Sequence, residues 1–213
     1  MQVAIALFDR FTALDAVGPY QVFAHMPDTE VVFVAERPGP VADDCRTLRL
    51  VAEAAFADVP RPDVVVVPGG PGQSDQMTDG PLREWLVSTD QTSDWTTSVC
   101  TGALVLAGAG LLTGRRATTH WLAMDELGRL GATPTAQRVV QDGKYVTGAG
   151  VSAGIDMALT LAGRIAGDTV AQSIQLGIEY DPRPPYDAGS PDKAPEEIVA
   201  SQRSTSRFLL TGR

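Results

Sequence analysis

The chain has 213 residues, 44% of them hydrophobic and 20% charged, which fits one sizeable α/β domain. Its formal net charge of −9 argues against a nucleic-acid partner, because phosphate attraction needs a basic face. No window reaches the roughly 18 apolar residues that a membrane span requires, and the first residues lack the basic region of a signal peptide. We therefore expect a cytoplasmic protein.

Strands and helices alternate along the chain, and the strands are apolar throughout, as in "VVVV" at 64–67. Uninterrupted apolar strands predict a mostly parallel sheet covered by helices on both faces. The segments predicted as strands are 2–8, 30–36, 62–67, 95–99 and 115–120, with a hairpin at 138–148. The predicted helices are 14–26, 80–89, 101–114, 121–131, 152–167 and 169–180.

Four local signals refine these elements. Pro19 predicts a helix that starts close to it, because proline is tolerated in a first helical turn. Gly114 predicts the end of another helix. The pair Asp142 and Gly143 is typical of a type I′ hairpin turn. Proline-rich residues 181–195 predict an extended arm, so we divide the chain into a catalytic domain (1–180) and an arm with a tail (181–213).

Cys100 lies between a predicted strand and a predicted helix, in the stretch "SVCTG". A nucleophile elbow needs small residues two before and two after the nucleophile, and Ser98 and Gly102 stand there. The helix N-terminus would lower the pKa of the thiol, and the N–H of Thr101 could face an oxyanion. The alternative is a thiol buried only for packing.

Two further loops follow strands at the same expected edge of the sheet. The loop "PGGPG" offers backbone N–H donors at Gly69, Gly70 and Gly72, or forms an ordinary tight turn. Asp15 is either a helix N-cap or a general acid/base beside Cys100.

The two histidines are far apart and show no metal-ligand spacing, and the two cysteines make no disulfide framework, so no metal is expected. His120 follows the next predicted strand, which permits either a Cys–His pair or a structural histidine beside Trp121. Cys45 is interpreted as an incidental thiol.

The chain resembles the cysteine-nucleophile α/β superfamily that includes PfpI-type proteins and class I glutamine amidotransferases. The resemblance implies a single flavodoxin-like domain with a nucleophile elbow, and a homodimer. Within the superfamily it points toward members that hydrate isocyanides. The stretches that carry it are "LDAVGPYQVF", "VVVVPGGPG", "TSVCTGALVLAGAGLLTGRRATTHW", "GAGVSAGIDMALTLA" and "YDPRPPYDAGSPDKAP".

The resemblance implies roles for individual residues. Cys100 is the expected nucleophile, Asp15 its proton-handling partner, and the Thr101 hydroxyl a contact of that carboxyl group. His120, Trp121 and Val151 are expected at the substrate pocket. The expected reaction converts R–N≡C to an N-formamide through a thioimidate, without cofactor or metal.

Two alternatives remain at this point. Thr101 stands where the superfamily's proteases carry histidine, so peptidase activity is not expected. Members that act on glyoxals usually carry Glu in place of Asp15, yet a glyoxal-consuming enzyme remains an alternative. The other alternative is a non-catalytic sensor in which Cys100 is oxidised.

Overall fold

The computed structural model describes residues 1–206. The helices are α1 (Ala13–Phe23), α2 (Gln73–Gln76), α3 (Pro81–Thr89), α4 (Gly102–Gly108), α5 (Met124–Arg129), α6 (Ala153–Ala166), α7 (Asp168–Gly177) and α8 (Glu196–Ser204). The strands are β1 (Gln2–Ala6), β2 (Glu30–Ala35), β3 (Gly39–Ala42), β4 (Arg49–Ala52), β5 (Ala54–Ala55), β6 (Val64–Val67), β7 (Trp95–Val99), β8 (Arg116–Ala117), β9 (Thr133–Pro134), β10 (Val139–Asp142) and β11 (Tyr145–Gly148).

Seven strands form the central sheet in the order β10-β11-β7-β6-β1-β2-β5. All neighbouring pairs are parallel except the β10–β11 hairpin. The strands β1, β6 and β7 lie side by side, so the loops that follow them meet at one edge of the sheet. That edge is where ligands bind in open α/β sheets, and it carries the candidate residues.

Both faces of the sheet are covered, as the apolar strands predict. Every residue of β6 is fully buried, although alternate side chains point to opposite faces. Helices α1 and α6 pack on each other, with α7 against α6, while α3, α4 and α5 form a second group. The prediction of a mostly parallel α/β sandwich is therefore confirmed.

Helix α1 differs from its prediction at Pro19, which lies inside the helix and beyond its first turn. Proline there removes one helical hydrogen bond. Close packing accompanies it, because a Cβ on Gly154 of α6 would lie 3.2 Å from Pro19 Cδ. Tertiary packing of α1 on α6 thus keeps a helix that local preference would interrupt.

Three other boundaries were wrong. Helix α4 ends at Gly108, well before Gly114. The segment 115–120 contributes only the two residues of β8, which pair with β9 outside the central sheet. In the β10–β11 hairpin, Asp142 pairs with Tyr145, so Gly143 and Lys144 form the turn. Of these two only Gly143 has a positive φ (62°), which excludes type I′.

The proline-rich segment returns to its own domain. Gly189, Ser190 and Pro191 line a cavity together with Trp121. Helix α8 follows, and Arg203 Cζ lies 5.2 Å from the centre of the Trp121 ring, within cation–π range. Within residues 1–206, no helix combines the length and the apolar character needed to cross a bilayer.

Candidate active site

Cys100 lies on a sharp turn between β7 and α4, with a φ of 56°. Such a φ is strained for a residue other than glycine and costs on the order of 1–3 kcal/mol. The backbone holds the turn, because Cys100 N–H donates to the carbonyls of Gly148 (3.1 Å) and Ala149 (2.9 Å). The Thr119 hydroxyl donates to the Cys100 carbonyl at 2.8 Å. This geometry is that of the predicted nucleophile elbow.

The glycine after the elbow is required by space. A Cβ on Gly102 would lie 2.1 Å from the carbonyl oxygen of Val67 at the end of β6. Helix α4 therefore begins in contact with the neighbouring strand, and Gly102 lets the turn approach it. The small-residue pattern of the elbow has this steric cause.

Asp15 is not the N-cap of α1, because Thr12 occupies that position. Its side chain is 0% exposed, and Oδ2 accepts the Gly69 N–H at 2.9 Å. The carboxyl group also interacts with the thiol of Cys100, itself 0% exposed. Oδ1 has no hydrogen-bond partner within residues 1–206 that meets ordinary geometry. The structure therefore brings Asp15 and Cys100 together in one buried volume.

Burial governs the ionisation of this pair. It raises the pKa of Asp15 from 3.8 to about 8, against the lowering effects of the Gly69 N–H and the Cys100 thiol. Burial and the Asp15 charge also raise the pKa of Cys100 well above its ordinary value. Both groups are thus predominantly neutral near pH 7, since removing either charge from water is costly.

The prediction of a lowered thiol pKa was therefore wrong for the resting protein. The N–H groups of Val151 and Thr101 do direct hydrogen bonds at the Cys100 sulfur and lower its pKa. Their effect is smaller than the cost of burying a thiolate next to a carboxyl group. The site holds its two protons until a substrate arrives.

A second carboxylate near the pair was missed by the sequence analysis. Asp44 acts on Asp15 through its charge and contributes to the raised pKa of Asp15. Its Oδ2 accepts the Thr12 hydroxyl at 3.2 Å, which ties the turn after β3 to the start of α1. Asp44 lies in a turn-rich segment distant in sequence from Asp15, so only the fold brings them close.

The glycine loop positions other groups and does not offer free donors. The N–H of Gly69 is used by Asp15 and that of Gly70 by the Thr101 hydroxyl (3.0 Å). The N–H of Gly72 donates to a backbone carbonyl of the loop after β1. The expectation that these N–H groups form an oxyanion hole is not met in this geometry.

Close approach explains why the loop is built of glycine. A Cβ on Gly69 would lie 2.5 Å from the Thr101 nitrogen, and one on Gly72 would lie 1.9 Å from the Asp9 carbonyl oxygen. Gly70 has a φ of 129°, a conformation that other residues rarely adopt. The loop is therefore a spacer that lets Asp15 and Thr101 reach the same place.

Thr101 contributes its hydroxyl and its backbone separately. The hydroxyl accepts from the Gly70 N–H at 3.0 Å and lies 3.5 Å from the Gly70 carbonyl. These are the hydrogen bonds recorded for it, so its predicted contact with Asp15 is indirect, through the Gly69–Gly70 backbone. The N–H of Thr101 faces the sulfur.

Val151 was expected as a pocket wall and also has a second role. Its N–H donates toward the Cys100 sulfur, and its φ of 22° is strained for a β-branched residue. No sequence pattern indicates this, because the donor is a backbone group whose direction depends on the loop before α6.

A cavity of about 540 Å³ opens beside this loop. His120, Trp121 and Val151 line it, as the sequence analysis expected. Further walls come from Met124, Ala136, Ala149, Gly150, Thr118, Thr119, Gln137, Arg138, Ser152 and the arm residues Gly189 to Asp192. Apolar groups with a few polar ones are typical of small-molecule sites.

His120 is a cavity wall and the cap of the short turn that follows it. Its Nδ1 accepts the Leu122 N–H at 3.3 Å. Burial lowers the pKa of His120 to about 4, so the ring is neutral near pH 7. The ring packs on Gly150, where a Cβ would lie 2.8 Å from His120 Cδ2. Its contacts are those of a histidine that shapes the cavity.

One group of potential metal ligands occurs within the described residues, at Asp43, Asp44 and Cys45. Asp43 Oδ1 already accepts the N–H groups of Thr47 and Leu48, which builds the turn. Cys45 is exposed. The carboxylates of this group are therefore explained as turn-forming residues.

The fold and the site together define a class of protein. A mostly parallel sheet presents a cysteine on a positive-φ elbow, next to a buried carboxyl group and below an apolar cavity. These are the features of the cysteine-nucleophile α/β proteins. The chain belongs to the DJ-1/PfpI family, whose model matches residues 1–164.

Relatives with similar sequence or structure agree with this membership. The chain is 46% identical to the isonitrile hydratase of Pseudomonas putida over 95% of its own length and 89% of that protein. A THiJ/PfpI family protein from Pseudomonas syringae superposes with a TM-score of 0.92 at 36% identity, covering 95% of this chain and 84% of the other. Drosophila melanogaster DJ-1beta shares the fold, with a TM-score of 0.76 at 20% identity over 84% of this chain and 97% of the other.

Proposed function

We propose that this protein is a cofactor-independent lyase that hydrates isocyanides, R–N≡C, to N-substituted formamides. The observation that carries the proposal is the buried pair of Asp15 and Cys100, with the pKa of Asp15 raised to about 8. A neutral carboxyl group beside a thiol can supply a proton and take one back. The isonitrile hydratase that is 46% identical to this chain supports the choice of substrate.

In the first step the substrate carbon gains a proton and a bond to sulfur. Asp15 Oδ2 accepts the Gly69 N–H, so the proton of the neutral carboxyl group lies on Oδ1. Asp15 gives this proton to the isocyanide carbon while Cys100 Sγ attacks the same carbon and the thiol proton passes to the carboxylate. The product is a thioimidate, R–N=CH–S–Cys, and Asp15 is again protonated.

In the second step water replaces the sulfur. Asp15 protonates the thioimidate nitrogen and takes a proton from the attacking water, which gives R–NH–CH(OH)–S–Cys. Breaking the C–S bond releases the formamide, and the sulfur recovers its proton from the hydroxyl group through Asp15. The N–H groups of Val151 and Thr101 stabilise negative charge on the leaving sulfur.

The surroundings suit an uncharged substrate. Trp121, Met124 and Val151 give the cavity apolar walls, against which the R group packs. His120 is neutral near pH 7 and adds no charge there. The arm and tail (181–213) complete the catalytic domain (1–180) as a wall of this cavity. We further propose a cytoplasmic homodimer with a small molecule as its ligand and no nucleic-acid or membrane partner.

The test is formamide production from a simple aryl isocyanide by purified wild type, Cys100→Ala and Asp15→Ala. We expect no turnover with Cys100→Ala and a loss of most activity with Asp15→Ala. Cys45→Ser is the matched control, since this exposed thiol has no part in the mechanism. Full activity in Cys100→Ala would refute the proposal.

A further inference from the structure

Four residues between β11 and α6, residues 149–152, form what we call the thiol-facing loop. Ala149 accepts the Cys100 N–H at 2.9 Å through its carbonyl, and Val151 directs its N–H at the sulfur. The loop therefore holds both the backbone and the side chain of the nucleophile. Its placement decides whether a charge on sulfur is stabilised.

This loop does not hold its shape through local preference. Val151 has a φ of 22°, which is unfavourable for a β-branched residue. Such a conformation persists only when the surrounding structure imposes it. On one side His120 packs against Gly150. The remaining constraint comes from the segment that precedes β10.

Arg138 contacts the loop at both ends. Its carbonyl accepts the Ala149 N–H at 2.9 Å. Its guanidinium donates from Nη2 to the Ser152 hydroxyl at 3.2 Å and from Nε to Asp156 Oδ2 at 2.8 Å. One residue thus ties the first residue of the loop, the last residue of the loop and the first turn of α6.

The partners of Arg138 are arranged to keep it there. Asp156 Oδ2 also accepts the Tyr180 hydroxyl at 2.9 Å, so the carboxylate is held from two sides. Ser152 is the N-cap residue of α6, yet its side chain makes no capping hydrogen bond and accepts from Arg138 instead. A planar guanidinium can hold two partners in fixed directions, which an ammonium group cannot.

We propose that Arg138 is a positioning residue for catalysis, which acts through the thiol-facing loop to keep the Val151 N–H on the Cys100 sulfur. No recorded contact joins Arg138 to Cys100 or Asp15 within residues 1–206. Arg138 also lines the cavity, so the experiment must separate this role from direct contact with substrate.

The test titrates the thiol and measures turnover in a Cys45→Ser background, which leaves one cysteine. Thiolate absorbance in the ultraviolet is followed against pH, and the same curve for a matched protein that also carries Cys100→Ala is subtracted. The subtraction removes tyrosine ionisation, including that of Tyr180. Asp15, Asp44 and His120 face the thiol region in every variant, so differences between variants report the loop.

In Arg138→Gln we expect the thiolate midpoint to rise by about 0.5–1 pH unit, equivalent to about three- to tenfold less thiolate below the midpoint. Arg138→Lys keeps a charge near Asp156 and should give a smaller rise. Arg129→Gln removes an ion pair on α5 that does not touch the loop and should leave the midpoint unchanged. With an aryl isocyanide, kcat should fall in Arg138→Gln while KM stays within about twofold.

An unchanged midpoint in a folded Arg138→Gln protein would overturn the proposal, and so would a large rise in KM without a midpoint shift, which would indicate contact with substrate. Circular dichroism and thermal unfolding establish folding. Should Arg138→Gln fail to fold, Ser152→Ala removes only one contact and must still shift the midpoint. The kinetic part rests on the proposed function, whereas the titration does not, so the two can fail separately.

Discussion

The carboxyl group of Asp15 and the thiol of Cys100 interact in a volume from which water is excluded, although 84 residues separate them in the chain. Each raises the cost of ionising the other, and burial raises the pKa of both. The pair therefore stores protons at neutral pH. This differs from a cysteine protease, in which a basic partner keeps the thiolate ready.

The first prediction concerns the pH dependence of turnover. Asp15 has a pKa of about 8 and donates a proton from its neutral form, so kcat/KM should be level near pH 6–7 and fall as the pH rises through about 8. Steady-state rates across pH check this. A rise in activity across the same interval would mean that the thiolate, and not the protonated carboxyl group, limits the reaction.

Asp15→Asn should make the protein more stable while it removes activity. The folded-state pKa of Asp15 lies above its unfolded value, so folding favours the proton, and stability from this group is present below pH 4 and lost as pH rises toward 8. At neutral pH the loss is on the order of 4 kcal/mol. The asparagine amide carries no charge and escapes this cost. Denaturant unfolding at pH 4 and pH 8 should show the variant's advantage only at the higher pH.

Gly102→Ala should destabilise the protein by about 2–4 kcal/mol, because the new Cβ would lie 2.1 Å from a backbone oxygen of β6 that cannot move freely. Gly177→Ala is the matched control. Its Cβ would meet no atom of the described residues within 4 Å, and alanine favours the helix by up to about 1 kcal/mol. Equal melting temperatures for the two variants would contradict the steric explanation of the elbow.

Trp121→Ala should weaken substrate binding more than it slows chemistry. The indole lines the cavity without touching the Asp15 carboxyl group, so its loss removes apolar contact with the R group. We expect KM for a bulky isocyanide to rise about tenfold with kcat reduced less than about threefold. A small isocyanide should show a weaker effect. A fall in kcat alone would place Trp121 in the chemical step.

The elements that sequence predicted well are those whose signal is local. The four valines of β6 and the strand before Cys100 were correctly placed because an apolar strand between turn residues has few alternatives. The predictions that failed depended on contacts. Asp15 fits the composition of an N-cap, yet Thr12 takes that place because Asp15 is drawn to Gly69. The glycine N–H groups looked free until the fold supplied their acceptors.

The sequence by itself determined the alternation of strands and helices, the small residues around Cys100 and the presence of a carboxyl group after the first strand. These follow from hydrophobic period and from the steric needs of a sharp turn. Only the tertiary structure decided that β1, β6 and β7 are neighbours, which brings Asp15, Gly69 and Cys100 to one edge. It also decided the protonation of the pair, because desolvation depends on what packs around a group and not on the group itself.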